Sequence, residues 1–393
     1  MSGMATYDAV VVGGGPAGAT AAADLAAQGR AVLLMDRAGR IKPCGGAIPP
    51  RLMRDFAIPD HLLVSRASAA RMHAPSRTQV DMPIDNGFVG MVDRDVFDEW
   101  LRVRAAEAGA ERLAATFERL DREPDGTAVI RYRTKEGRQE GSVRARAVIG
   151  ADGALSAVGR QTVPGADRVR HVFAYHEIIR TPPERAGKPA CDIFYEGKLS
   201  PDFYAWIFPH GETTSVGTGS ARKGFSLRGA VGALRAATGL EETETIRREG
   251  APLPLKPLKR WDNGRDTVLA GDAAGAVAPA SGEGIYYGML GGRLAAQSVE
   301  ELLQTGDARA LGSARRAFMR EHGRVFWVLG MMQWFWYRND ALRERFVSIC
   351  RDPDVQRLTW ESYMNKRLVR REPLAHARIF LKDMAHLLRL ATP

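Results

Sequence analysis

Cysteine is scarce: Cys44, Cys191 and Cys350 are the three in 393 residues, and no two lie within four positions of each other. That excludes a disulfide framework and a Cys-x-x-Cys metal site, and it points to a reducing, cytoplasmic compartment. Long apolar runs are also missing. The longest charge-free aromatic stretch near the C-terminus, Val325 to Tyr337, is 13 residues, short of the ~20 that span a bilayer. The first apolar run, Ala9 to Val12, leads into glycines, with no basic region before it and no cleavage site after it. No signal peptide is expected. Internal repeats and low-complexity segments are absent, and His73, His171, His176 and His210 have no metal-like partners at regular spacing, so no metal is expected. What remains is ordinary globular composition, 45% hydrophobic and 26% charged, long enough for two or three domains.

Positive charge is present in excess, 56 Lys and Arg against 46 Asp and Glu, a net +10. It is concentrated late in the chain, where Glu301 to Pro393 holds 17 basic and 10 acidic residues, +7 of the total. Such a balance permits nucleic acid, an anionic membrane surface or an anionic substrate as partner. The lack of a recognisable binding module argues against nucleic acid. The same region carries aromatics at Phe326, Trp327, Trp334, Phe335, Trp336 and Tyr337, then basic residues at Lys366, Arg367, Arg370, Arg371, Arg378, Lys382 and Arg389. Tryptophan and tyrosine favour the headgroup level and basic residues an anionic surface, which predicts salt-sensitive peripheral membrane association.

The patterning predicts an α/β protein. Tyr7 to Val12 reads as a buried strand, Ala19 to Gln28 as a helix after a glycine turn, and Ala31 to Met35 as a second strand ending in Asp36. Met72 to Met91 reads as short strands of another sheet. Val92 to Gly109 reads as a helix with Asp93 as its cap, and Ala128 to Arg133 with Gly141 to Arg146 as a hairpin leading into a strand, Ala147 to Ile149. His171 to Pro257 is rich in aromatic and β-branched residues, as in a mostly antiparallel substrate domain. Thr267 to Gly271 returns to a buried strand, Gly284 to Leu303 is helical, and Ala308 to Leu390 is helical with breaks at Gly323, Gly330, Pro353 and Pro373. The expected organisation is a discontinuous Rossmann-like dinucleotide-binding domain (1–70, 91–170, 261–305), an inserted sheet domain (71–90, 171–260) and a helical C-terminal region (306–393).

Three segments carry chemistry. Gly13-x-Gly15-Pro16-Ala17-Gly18 follows a strand and opens a helix, so glycine backbone and helix N-terminus can meet a pyrophosphate. Asp36, at the end of the next strand, is placed to bind ribose hydroxyls, which favours FAD or NAD over NADP in this fold. Gly150-Ala151-Asp152-Gly153 and Gly271-Asp272-Ala273-Ala274-Gly275, the latter followed by Pro279, Gly282, Gly284 and Ile285, each put an aspartate at a strand end before a helix. Taken singly, each of these two loops reads more readily as a helix-capping aspartate.

Together, at these separations, the three segments resemble the fingerprints of FAD-dependent oxidoreductases of the para-hydroxybenzoate hydroxylase-like group. The resemblance implies FAD, with Arg37 beside Asp36 in the cofactor site and Asp272 on the ribityl chain. A narrower resemblance adds to it. Lys42-Pro43-Cys44-Gly45-Gly46 and Tyr204-Ala205-Trp206-Ile207-Phe208-Pro209, followed by Gly217-x-Gly219, are similar to signatures of geranylgeranyl reductases. Glu361 to Lys366 and Pro373 to His376 look like the branch acting on chlorophyll or bacteriochlorophyll. This implies stepwise, NADPH-dependent reduction of three isolated C=C bonds to phytyl, on the esterified pigment or on free geranylgeranyl diphosphate, at a photosynthetic membrane. It implies Cys44 at the flavin, as the candidate catalytic residue, and Tyr204, Trp206, Phe208, Pro209, Gly217 and Gly219 in the substrate channel.

Other readings stay open at this level. Cys44 between a proline and two glycines also fits a small buried residue, and the period-two aromatics also fit core packing on one strand face. An oxygen-activating aromatic hydroxylase and a flavin-binding pigment-assembly protein without turnover are the functional rivals.

Overall fold

The computed structural model describes residues 4–37, 39, 41–85, 87–135, 139–187 and 190–367. They belong to two compact units, each discontinuous: Met1–Lys42, Arg94–His171 and Pro252–Gly323, and Pro43–Asp93, Val172–Ala251 and Arg324–Pro393.

The first unit is built around the strand Thr6–Val12, whose last four residues are buried. A strand buried on both faces needs parallel neighbours covered by helices. Val32–Asp36 pairs with it on one side and Glu140–Gly150 on the other, extended outward by the start of Glu111–Arg122 and by Thr267–Leu269, all parallel. Ala128–Thr134 runs antiparallel to both long strands and ties their far ends together. The helices Pro16–Ala26 and Ile285–Thr305 pack closely because small residues meet: a Cβ at Gly292 would lie 2.1 Å from the Ala17 carbonyl oxygen.

The second unit holds a seven-stranded sheet and a three-stranded one. In the larger sheet Ala205–His210 lies between Ala190–Phe194 and Thr213–Ser220, antiparallel to both, and Ala190–Phe194 pairs in parallel with Ala69–His73. Its apolar face, including Ile179, Ala205, Ile207 and Val216, packs on Val231 and Leu234 of the helix Leu227–Ala237.

Several expected elements differ. The strand Glu111–Arg122 has no counterpart in the sequence reading, because a bulge between Phe117 and Arg119 breaks its alternation. The helix Leu227–Ala237 was hidden in a segment read as strands, since Gly229 and Gly232 interrupt its pattern. Gly323 and Gly330 do not break the helix Gly312–Trp336; a mid-helix glycine costs only about 1 kcal/mol against alanine. Pro353 does mark a boundary, as the first residue of Pro353–Asn365, while Pro373 lies outside the described residues.

The units also divide the chain differently from the expected boundaries. Pro43 to Ala70 joins the second unit, where Ala47–Ile48, Ser65–Ala67 and Val89–Met91 form the small sheet. The helices after Arg324 group with that unit instead of standing apart. There the buried Arg343 donates to the carbonyls of Ser200, Pro201 and Tyr337, and Asp340 accepts the Gly197 N–H.

Candidate functional site

In the first unit the glycine turn has three distinct steric roles. Gly13 has φ +107°, and a Cβ there would lie 2.3 Å from the Ala151 carbonyl oxygen. A Cβ on Gly18 would collide with the Gly13 carbonyl oxygen, so this glycine brings helix and strand together. Gly15 differs: a Cβ built on it meets nothing within 4 Å. The fold does not need that glycine, whereas a phosphate approaching the helix N-terminus does. Pro16 is the first helical residue, where its missing N–H loses no bond, and Ala17 is buried behind it.

Asp36 ends its strand as expected and accepts the Gly14 N–H at 2.7 Å, while Arg102 donates to the Gly14 carbonyl at 3.2 Å. Arg37 is exposed. The Asp152 carboxylate is committed to its own loop, accepting from the Ser156 hydroxyl at 2.5 Å and from the N–H groups of Ala157 at 2.6 Å and Val158 at 3.1 Å. Burial raises this carboxyl above the ordinary range, with those hydrogen bonds pulling the other way. Gly153, at φ +88°, completes the turn. Asp152 is therefore a helix cap that shapes the loop packed against Gly13.

Gly271 has φ +62° and faces the Ala17 methyl; Asp272 follows it and forms a 2.5 Å ion pair with Lys42. Asp272 is almost buried and Lys42 about one-third exposed. Pro279 and Gly282, the latter at φ +66°, lie in a turn closed by the Ala278 N–H to the Glu283 carbonyl at 2.9 Å. Gly284 then caps the helix that starts at Ile285. This donor set fits a dinucleotide: an open glycine at a helix N-terminus, a carboxylate at the second strand end, and an ammonium–carboxylate pair whose aspartate precedes the helix Ile285–Thr305. Sequence reasoning quoted Lys42 within a signature but missed its pairing with Asp272, 230 positions away, and it missed Arg102, whose partner is 88 positions away.

In the second unit the other two signatures come together. Tyr204, Trp206 and Phe208 form a row on one face of a strand, with centroids 5.9 and 6.1 Å apart, all nearly buried. A Cβ on Gly217 would lie 2.3 Å from the Trp206 ring, and one on Gly219 3.0 Å from Phe203, so these glycines make room for the aromatics. Pro209, next on the strand, is partly buried. Gly45 lies against the Phe208 ring, at 3.0 Å from where its Cβ would be. His210 closes the end of the row. Its Nε2 is 3.1 Å from the Gly45 carbonyl and its Nδ1 3.1 Å from Asp93, which was expected only as a helix cap. Both partners are acceptors, so a proton on either ring nitrogen finds one. Gly46, at φ +69°, sits where a Cβ would strike the Val92 carbonyl and the His210 ring. Cys44 is half-buried, its sulfur 3.4 Å from the Gly46 N–H, whereas Cys191 and Cys350 are buried and burial pushes the Cys191 thiol up to about 12.

Behind the row runs a directed polar chain. The Trp206 indole N–H donates to Ser215 at 3.1 Å; Ser215 lies 2.9 Å from His176 Nδ1, and His176 Nε2 lies 3.1 Å from Glu249. Burial pushes the Glu249 carboxyl up, but His176 and Arg247 outweigh it and the net effect is downward.

The C-terminal aromatics separate. Phe326 and Tyr337 are buried, while Trp327 and Trp334 are exposed. Lys366, expected to face a membrane, is buried with its ammonium 3.7 Å from the Tyr363 ring centroid. Arg370, Arg371, Arg378, Lys382, Arg389 and the Pro373–His376 motif lie outside the described residues. Among the described residues no cluster of metal-ligating side chains occurs and no helix is long and apolar enough to cross a membrane.

Comparison with known proteins agrees with these geometries. Residues 6–176 match the FAD binding domain family. The fold is similar to the crystal structure of a geranylgeranyl bacteriochlorophyll reductase-like protein from Thermoplasma acidophilum, with TM-score 0.83, 24% identity, and 97% of this chain and 100% of that one covered. The geranylgeranyl diphosphate reductase of Rhodobacter capsulatus is 56% identical across 98% of this chain and 99% of its own. The chloroplastic enzyme of that name from Oryza sativa is 35% identical across 96% and 86%. The chain belongs to the geranylgeranyl reductase family.

Proposed function

We propose that this protein is an FAD-dependent reductase of geranylgeranyl groups, hydrogenating three isolated C=C bonds in turn to give phytyl. The chain is esterified to (bacterio)chlorophyll or carried as the free diphosphate, NADPH is the reductant, and the protein works in the cytoplasm at the surface of a photosynthetic membrane. The observation that carries the reading is the contact of the Cys44-Gly45-Gly46 segment with the end of the Tyr204–Trp206–Phe208 row, at Phe208 and His210, two family signatures 160 residues apart built into one cluster.

Bound FAD would supply a hydride, and each C=C takes up that hydride and one proton. Gly13, Gly15 and Gly18 with the N-terminus of the Pro16–Ala26 helix would hold the pyrophosphate, and Asp36 the adenosine ribose. Asp272 would accept from the ribityl hydroxyls, with Lys42 keeping a positive charge beside it. Gly271, Pro279, Gly282, Gly284 and Ile285 shape the approach to the helix Ile285–Thr305, whose N-terminal dipole favours negative charge.

An isolated alkene accepts hydride poorly because positive charge grows at its tertiary carbon. The ring faces of Trp206, Tyr204 and Phe208 stabilise such charge and exclude water from it. Cys44 is the candidate to hold a proton at Sγ near the reacting carbon, and His210 is a positioning residue that fixes its loop.

Mass spectrometry of the prenyl chain after incubation with the FAD-loaded protein and NADPH tests the proposal. Products heavier by two, four and six hydrogens are expected. Oxygen consumption stimulated by a phenol would make the protein a hydroxylase instead, and an unchanged chain beside bound FAD would make it a non-catalytic pigment carrier.

A further inference from the structure

Trp327 and Trp334 are the most exposed large apolar side chains among the described residues, at 65% and 69%, with Met331 between them at 47%. All three lie on the helix Gly312–Trp336 at spacings of four and three residues, and therefore on one face. Arg324 precedes Trp327 by three positions and Arg338 follows Trp334 by four, both exposed, and no acidic residue occurs between the two arginines. The Arg338 guanidinium lies 5.8 Å from the Trp334 ring centroid. Phe326 and Tyr337, by contrast, are buried. A surface helix ordinarily has one apolar face, turned inward. This one has a second, turned outward and bracketed by positive charge.

We propose that Arg324, Trp327, Met331, Trp334 and Arg338 form a docking face for the surface of an anionic phospholipid bilayer. The proposal deepens the peripheral association included in the functional reading and rests on it for its purpose, but its physical basis is the stripe itself. Three observations favour a bilayer over a protein partner. The apolar area on offer is about 400 Å², taking about 200–250 Å² for each fully exposed side chain, against about 800 Å² per partner in a stable protein interface. Exposed tryptophans suit the headgroup boundary, where the indole ring meets acyl chains and its N–H meets water. Arginines at both ends, with no carboxylate between them, match a plane of phosphates, and nothing between them repels it. A helix lying in the interface needs only such a shallow stripe.

The test is cosedimentation of the full-length, FAD-loaded protein with vesicles of phosphatidylglycerol and phosphatidylcholine in equal parts, and with phosphatidylcholine alone. Three proteins are compared: wild type, the W327S/W334S double variant and the R324Q/R338Q double variant. The tryptophan pair should lose binding at least about tenfold at every salt concentration. The arginine pair should lose the preference for phosphatidylglycerol and the salt sensitivity that comes with it. Both variants should still reduce a detergent-dispersed geranylgeranyl substrate at the wild-type rate. Unchanged vesicle binding in both variants overturns the docking face, as does a wild type that ignores vesicles but forms a dimer that W327S/W334S abolishes. A wild type that binds vesicles through the stripe yet reduces no dispersed substrate overturns the reductase reading and leaves the docking face standing.

Discussion

Replacing Gly15 with valine should separate cofactor binding from folding. The residue has φ −76° and ψ −176°, an extended conformation open to any side chain, and a Cβ there meets nothing within 4 Å. The substitution therefore perturbs the cofactor-free fold only through the helix cap, about 1 kcal/mol, or about 2–4 °C in melting temperature for a unit of this size. FAD present at 100 times its dissociation constant stabilises the wild type by about 2.7 kcal/mol, worth roughly 5–10 °C. In Gly15→Val that increment should vanish, because the isopropyl group fills the space where backbone must meet the pyrophosphate, and the protein should purify colourless. Gly18→Ala is the control. Its Cβ would overlap the Gly13 carbonyl oxygen, and overpacking of that kind costs about 1–3 kcal/mol or more, so the cofactor-free melting temperature should fall. Differential scanning calorimetry with and without FAD, together with the flavin absorbance of the purified proteins, reads both effects. A full flavin spectrum in Gly15→Val refutes the assignment of the cradle; a large loss of stability in its cofactor-free form refutes the claim that the space around Gly15 is open.

Cys44→Ser should keep its FAD, since the residue makes no part of the glycine cradle, and should lose reductase rate; a variant with full activity removes Cys44 from the reaction. Asp192 is one pH-sensitive element of the second unit. Burial raises its carboxyl, but His73 at 2.8 Å and Arg185 at 3.0 Å more than reverse this and hold it below the ordinary range. Its contribution is then present above the unfolded carboxyl value and lost as pH falls through the lower folded one. Asp192→Asn should cost about 3 kcal/mol near neutrality and less in acid, and equal destabilisation at both pH values would show that Asp192 carries no linked charge.

The cofactor half of the protein was legible in sequence because its determinants are local. A strand, a glycine turn and a helix occupy consecutive residues, and Gly18 answers a steric demand made by Gly13 in the same loop, although Gly13 itself meets the Ala151 carbonyl at the end of the neighbouring strand. Asp36 could be placed for the same reason, being one strand away. Asp152 shows the limit: its motif was correctly located, yet whether the carboxylate faces a ligand or caps a helix depends on Ser156, Ala157 and Val158 folding back upon it. Glu111–Arg122 was illegible for a different reason. Leu113, Ala115 and Phe117 alternate as a strand should, but the bulge after Phe117 shifts the phase, and the eye finds no single period. In the second unit the long-range partners were out of reach. Nothing in the sequence ties His210 to Gly45, 165 positions earlier, or sorts Phe326 from Trp327 on adjacent helix positions.

The aromatic row shows why such partners matter to function. Tyr204, Trp206 and Phe208 at period two require only a strand, and on that evidence core packing and a substrate surface are equally served. The difference lies in what surrounds the rings. An indole N–H buried beneath an apolar surface must find an acceptor or lose about 1–3 kcal/mol, and here Ser215 supplies it. The serine oxygen also lies 2.9 Å from His176 Nδ1, and His176 Nε2 faces the Glu249 carboxylate at 3.1 Å. The imidazole is thus held on both sides, and the serine that holds it also fixes the tilt of Trp206. On the neighbouring strand Gly217 removes the side chain that would otherwise push the ring aside. A core tryptophan needs an acceptor for its N–H as well. What the chain from Trp206 to Glu249 adds is a ring held in one orientation, and the proposed role of presenting its face to a growing positive charge without water requires that.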